Sequence, residues 1–180
     1  MAGILLLNKD CFYFFSTNYQ NKKSFNMNKY SYIPEGYNAV IPALAFKGAD
    51  AAIKWYKDVF DAKEKMRFDN SDKTVAHAEL TIGDSVIMLS EENPQYNQSP
   101  KTLKGNSVNL CIYVPDVDAT IQKAVDNKAQ LVMAAEDQFY GDRSGRIEDP
   151  FGYRWIISTH IRDVSEDEMH RKMEEMQQPA

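Results

Sequence analysis

The sequence predicts an α+β fold of two fused βαβββ modules, their curved sheets arranged around a cleft with helices outside, plus a C-terminal helix. Three observations lead there. One alternating run, one helical run and three further alternating runs between about residues 38 and 92 recur in that order between about 107 and 160. Landmarks in the two stretches keep their spacing. Phe46 and Val114 close the first strands, Asp50 and Asp118 open the helices, and Ile53 matches Ile121, each pair 68 residues apart. Gly83 and Gly152 precede the last strands and stand 69 apart. A repeat this long, with mixed elements, means two copies of one unit rather than a solenoid. Finally, 180 residues with 43% apolar and 26% charged content suffice for one well-cored domain or two fused halves.

The elements follow in chain order. Residues 1–28 are expected to be a loosely attached extension. Its apolar patches Ile4–Leu7 and Phe12–Phe15 are split by Asn8-Lys9-Asp10, and it lacks the basic start and unbroken core of a signal peptide. The domain proper is expected over 29–163. Module 1 (about 38–92) opens with a strand over Ala39–Phe46. An amphipathic helix over Asp50–Phe60 follows, with Ile53, Tyr56 and Phe60 on one face. Strands over Glu64–Phe68, Val75–Ile82 and Ser85–Leu89 complete it, with Gly83-Asp84 as a hairpin turn. Pro94, Pro100 and Gly105 mark 93–106 as a linker. Module 2 (about 107–160) repeats the order: strand Val108–Val114, helix Val117–Asn127, then strands Ala129–Met133, Ser144–Glu148 and Tyr153–Ser158. The last two are joined by the turn Asp149-Pro150-Phe151-Gly152. In the tail, 164–180, Ser165 and Glu168 form a capping box that opens an amphipathic helix. Its stripe of Met169, Met173 and Met176 is expected to dock on the domain or on a second subunit.

Composition excludes several classes. With 26 acidic against 21 basic residues the chain is net −5, which argues against nucleic acid. No apolar run approaches the roughly 18–20 residues that cross a bilayer, so no membrane partner is expected. Two cysteines, Cys11 and Cys111, are too few for a disulfide framework and suit a reducing, cytoplasmic setting.

Strand alternation then sorts side chains. Leu110, Ile112 and Val114 should meet the helix, turning Asn109, Cys111 and Tyr113 to the concave side. Ala76, Ala78, Leu80 and Ile82 oppose His77, Glu79 and Thr81, while Trp155 and Ile157 oppose Arg154, Ile156 and Ser158. By the same rule Arg67, Arg146 and Glu148 point to the cleft. Both signs of charge and an imidazole converging on a concavity suit a small polar ligand, although a merely solvated sheet face alternates in the same way. His77 beside Glu79 is a candidate acid/base pair, or else an imidazole satisfied by a neighbouring strand. His160 and His170 have no partner that sequence can name. In the loop Tyr140–Arg146, Gly141 and Gly145 allow sharp turns, and Arg143 suits a ligand carboxylate or phosphate. A structural Asp142–Arg143 or Arg143–Glu148 pair is the alternative. Cys111 has no activating neighbour, and no phosphate cradle or nucleophile elbow is present.

The segments Ile41–Tyr56, Ala76–Ser85 and Tyr140–Gly152 resemble the vicinal oxygen chelate superfamily, and within it the PhnB-like, glyoxalase/bleomycin-resistance branch. The resemblance spans about 38–163 and implies paired modules around a cleft, as a homodimer. It also implies a divalent metal held by the first and last strands of each module. Those positions here are Ile41, Ile87 (Met88 if the register moves by one), Asn109 and Ile156. Alkyl groups have no lone pair and a carboxamide is a weak ligand, so neither metal nor other cofactor is expected. A displaced cage would need His77 and Glu79 with Glu91 or Glu148 as third ligand. The expectation is a metal-independent protein of bleomycin-resistance type, binding a small polar or aromatic molecule in the inter-module cleft. Its binding set is Arg67, His77, Glu79, Asn109, Tyr113, Tyr140, Arg143, Glu148 and Arg154, with catalysis left open. A glyoxalase-type lyase or isomerase with non-standard metal ligands, and a non-catalytic dimeric scaffold, are the alternatives.

Overall fold

The computed structural model of the chain describes residues 31–177; the extension expected over 1–28 lies outside them. Residues 31–35 fall outside the compact unit that begins at Gly36, and there the Ile33 amide donates to Ser31 Oγ (3.2 Å). Module 1 consists of β1 (Ala43–Phe46), α1 (Ala49–Phe60), β2 (Lys63–Asp69), β3 (Val75–Ile82) and β4 (Ser85–Glu91). A one-turn helix, α2 (Pro100–Leu103), interrupts the linker. Module 2 consists of β5 (Asn109–Tyr113), α3 (Val117–Asp126), β6 (Gln130–Asp137), β7 (Asp142–Glu148) and β8 (Arg154–His160), and α4 (Glu166–Gln177) follows. Each module is a four-stranded sheet of the same order, β1-β4-β3-β2 and β5-β8-β7-β6, with first and last strands parallel and the remaining pairs antiparallel.

Several boundaries differ from expectation for local reasons. β1 begins at Ala43, because Pro42 has no amide to donate and offers only its carbonyl, to the Met88 amide (2.9 Å). The linker forms α2 because Ser99 caps it and Pro100 sits at its first turn. Residues 142–146 are strand rather than loop. The bend is confined to Gly141 (φ 98°), where a side chain would collide with the Arg162 carbonyl.

The largest surprise is β2. Its ladder with β3 skips Lys65, so Glu64 lies opposite Leu80 while Met66 lies opposite Glu79 and Arg67 opposite Ala78. One extra residue inverts every later side chain. Arg67 therefore lies on the helix side, bonded to Asp50 of α1 (2.7 Å) and to Asp69 (2.8 Å), and does not face a cleft. Met66 and Phe68 take the opposite face, 39% and 59% exposed.

Each helix keeps a charged face in solvent, at Asp50, Lys54, Lys57 and Asp58 of α1 and at Asp118, Gln122 and Lys123 of α3. The helix-bearing faces of both modules merge into one core, in which Phe46, Trp55, Tyr56 and Phe60 meet Ile121, Tyr153, Trp155 and Ile157. The rings of Phe60 and Trp155 lie 4.7 Å apart, those of Phe46 and Tyr153 5.1 Å. The Tyr153 hydroxyl and the Ala45 amide and carbonyl are within 2.9 Å, and the Trp55 indole donates to the Asn127 carbonyl at the end of α3 (2.8 Å). Asp149, 2% exposed, accepts from the Tyr56 hydroxyl (2.6 Å), the Trp155 indole (3.1 Å) and the amides of Phe151 and Tyr153. Burial pushes its carboxyl above the usual range, and the four donors offset only part of that. The seam between modules thus buries aromatic surface around one satisfied carboxylate. The opposite face of each sheet is left without a covering element among the described residues.

Helix α4 starts as its sequence requires, with Ser165 Oγ accepting from the Glu168 amide (3.3 Å). It has no buried residue; Met169 is half-buried, while Met173 and Met176 remain 43% and 70% exposed, so the outer part of the methionine stripe is uncovered.

Candidate functional site

The uncovered face of module 1 is organised by β3. Glu79 is 5% exposed although it points away from the core, because its oxygens are occupied. Oε2 accepts the Tyr37 hydroxyl (2.6 Å), and His77 Nε2 lies 3.3 Å from Oε1. Bonding to Glu79 raises the Tyr37 hydroxyl pKa, since losing the proton would set two negative oxygens together. Lys65, the residue skipped in the β2 ladder, places Nζ 3.2 Å from the centre of the Tyr37 ring. Met66, Phe68 and Met88 surround this group, with Met88 directly opposite Glu79.

Module 2 repeats the theme with other residues. Asp142, at the start of β7 and also 5% exposed, accepts the Tyr113 hydroxyl (2.7 Å) from β5 and lies 2.9 Å from His160 Nδ1 on β8. The second ring nitrogen of His160 is 3.0 Å from Asp163. Burial pushes the Asp142 carboxyl up, but the bonds from His160 and Tyr113 outweigh it and hold the group below the usual range. Asp142 and Asp163 raise His160, so this imidazole keeps its proton to higher pH than a free one. Around it, Tyr140 Oη lies 3.4 Å from Ser144 Oγ, and Asn109 and Cys111 face outward opposite Arg154 and Ile156.

Most expected site residues are on these faces. His77, Glu79, Asn109, Tyr113, Arg146, Glu148 and Arg154 have the orientation that alternation predicts. Glu148 and Arg154 bond to each other (3.2 Å). Two arginines do not belong. Arg67 is inverted by the bulge, and Arg143 reaches Asp118 of α3 (2.7 and 2.9 Å) and Asp137 (2.9 Å) on the helix side. Its structural partners are therefore neither Asp142 nor Glu148. Sequence reasoning missed Tyr37, Asp142, His160 and Asp163. Counting back from Glu148 in steps of two reaches Asp142, so the signal for that residue was present.

The metal positions implied by resemblance do not fit a cation. Ile87 lies opposite Leu80 on the core side, 6% exposed, which leaves Met88 as the outward neighbour of Ala43. Asn109 and Ile156 face outward, and neither thioether nor alkyl completes a set for a hard divalent ion. The displaced cage also lacks its third ligand. Glu91 bonds the amides of Gly48 and Ala49 (2.7 and 2.9 Å) and caps α1, and Glu148 is in the other module with Arg154. Among the described residues no three of His, Cys, Asp and Glu are grouped to hold a metal.

Residues 41–157 match the family model of the Glyoxalase/Bleomycin resistance protein/Dioxygenase superfamily. The chain belongs to that superfamily. Within it, an uncharacterised Mycobacterium tuberculosis protein is 37% identical over 139 residues, 75% of this chain and 82% of the relative. The X-ray structure of an Arabidopsis thaliana gene product is 25% identical, with TM-score 0.56 over 68% of this chain and 98% of that one. A PhnB protein from Bacillus cereus shares the glyoxalase-like fold at 18% identity, TM-score 0.54, covering 68% of this chain and 99% of that one.

Proposed function

We propose that this chain binds a small polar or aromatic molecule, without a metal ion, on an uncovered sheet face that a second copy closes. On this reading the ligand cleft forms between modules of two copies, because the modules of one chain spend their helix-bearing faces on each other. The observation that carries it is Glu79. A carboxylate 5% exposed at the centre of a solvent-facing sheet, holding a tyrosine hydroxyl and an imidazole, is more order than water requires. It fixes an aromatic ring and a polar nitrogen beside Phe68 and Met88. A flat ligand can stack there while bonding to the His77 ring. Exposed Phe68 and Tyr113, 59% and 67%, provide the apolar part of such a face and of a dimer contact. Binding rather than lyase chemistry is favoured because the residues at the chelating positions offer no set of donors for a Lewis acid. The free, exposed Cys111 suits a cytoplasmic setting.

A metabolite-library thermal-shift screen tests this, run with and without nickel, zinc or manganese. The reading expects stabilising hits among small aromatic or polar compounds, no dependence on metal, and loss of the shift in His77→Ala. Hits that need a metal, or that are untouched in both His77→Ala and Tyr113→Phe, contradict it.

A further inference from the structure

The linker between the modules carries features that neither sheet face explains. The side-chain nitrogen of Asn106 is buried and has no hydrogen-bond partner. Its orientation is fixed, because Oδ1 accepts the Val108 amide (3.1 Å) and exchanging oxygen for nitrogen would set two donors against each other. Buried donors are nearly always paired, so this one is poised for an acceptor that arrives from outside.

The surroundings say what kind. Asn106 borders a depression of about 210 Å³ whose charged walls are Lys101, Lys104, Arg154 and Glu148. Three cations face one carboxylate there, in a chain whose net charge is −5. Glu148 is already bonded to Arg154. The loop is held in shape: Glu92 accepts from the Ser99 amide (2.9 Å) and the Thr102 hydroxyl (2.8 Å), and Lys104 adopts a left-handed turn closed on the Pro100 carbonyl. Gly152 keeps the floor open, since a Cβ there would press to 3.0 Å from Pro100. A second depression of about 470 Å³ shares Pro100, Gly105 and Asn106 and is lined further by Leu103 and Tyr153.

We infer that this linker pocket binds a small organic anion. Its cluster of negatively charged oxygens, phosphate or polycarboxylate, accepts from Asn106 Nδ2 and pairs with Lys101, Lys104 and Arg154. The carbon skeleton extends toward Leu103 and Tyr153. Arg154, expected from sequence to touch a ligand, does so here beside the linker rather than beside Glu79, with Glu148 as its ion-pair partner. The site stands independently of the proposed sheet-face ligand.

Inorganic phosphate and citrate serve as probes, titrated calorimetrically into the full chain against chloride at matched ionic strength. Asn106→Asp keeps the bond to Val108 and replaces the donor with a negatively charged acceptor, while Lys101→Met/Lys104→Met removes two cations and adds no charge of the opposite sign. Phosphate or citrate should bind the native chain, with affinity at least tenfold weaker in each variant. The Asn106 side-chain amide signals should also move on titration. Phosphate preference over citrate assigns the oxygens to a phosphoryl group, and the reverse to carboxylates. Binding no stronger than chloride's, or equal binding in the lysine double variant, overturns the inference even if Asn106→Asp fails to fold.

Discussion

The two modules reach the same arrangement by different routes. Each places a nearly buried carboxylate on its uncovered face and gives it a tyrosine hydroxyl and an imidazole. In module 1 the tyrosine, Tyr37, precedes the first strand, and His77 is two residues from Glu79 on the same strand. In module 2 Tyr113 comes from the first strand, His160 from the last, and Asp142 from between them. The repeat of 68 residues preserves the core positions but not these side chains. What the two modules share is an occupied acid on that face, not a residue at a fixed offset. The modules also differ in charge. His160 is bracketed by two carboxylates, whereas His77 has one, at 3.3 Å.

Removing each acid breaks the comparison most forcefully. Asp142→Ala should cost about 2 kcal/mol in urea denaturation, because charge-assisted bonds to His160 and Tyr113 are lost together. Glu79→Ala should cost somewhat less, about 1.5 kcal/mol, and should abolish ligand shifts that survive in Asp142→Ala if module 1 is the binding face. Equal effects of both on every ligand would show the two faces to be one site.

Next comes pH. Asp142 is held below its ordinary 3.8 and His160 above its ordinary 6.5. Their mutual stabilisation is therefore complete between those ordinary values. It declines as pH rises through the raised His160 value, and again as pH falls through the lowered Asp142 value. The melting-temperature gap between the native chain and His160→Gln should be widest near about pH 5.5 and shrink by about pH 8.5. A gap that widens toward alkaline pH would refute the assigned proton.

The smallest effects should come from the displaced arginines. Arg67→Met and Arg143→Met remove exposed ion pairs on the helix side, so stability should fall slightly and ligand shifts should be unchanged. A lost ligand shift in either would return that arginine to the site.

Sequence made the architecture readable because helix and strand periods, and the spacing from Phe46 to Val114, are local properties. It made His77, Glu79 and Tyr113 readable because plain alternation holds along β3 and β5. It failed at Arg67 because a bulge is one residue out of phase and Lys65 carries no signature of it. Asp142 was hidden by two glycines that suggested a loop. Gly145 is in fact a strand residue, where a Cβ would lie 2.5 Å from Ile121 Cδ1. His160 was silent since its partner is 18 residues away across a ladder. Alternation also tells which face is apolar, not what covers it, so the merging of the helix-bearing faces had to come from the tertiary structure.

The most direct test of the whole account is an amide shift map of the isotopically labelled chain with a stabilising compound from the screen. Perturbations should concentrate on Glu79, Met88 and the neighbouring residues of β3 and β4, with the Tyr37 segment, and leave the buried faces of α1 and α3 quiet. Perturbations confined to the core helices, with those strands unmoved, would contradict a ligand site on the uncovered sheet.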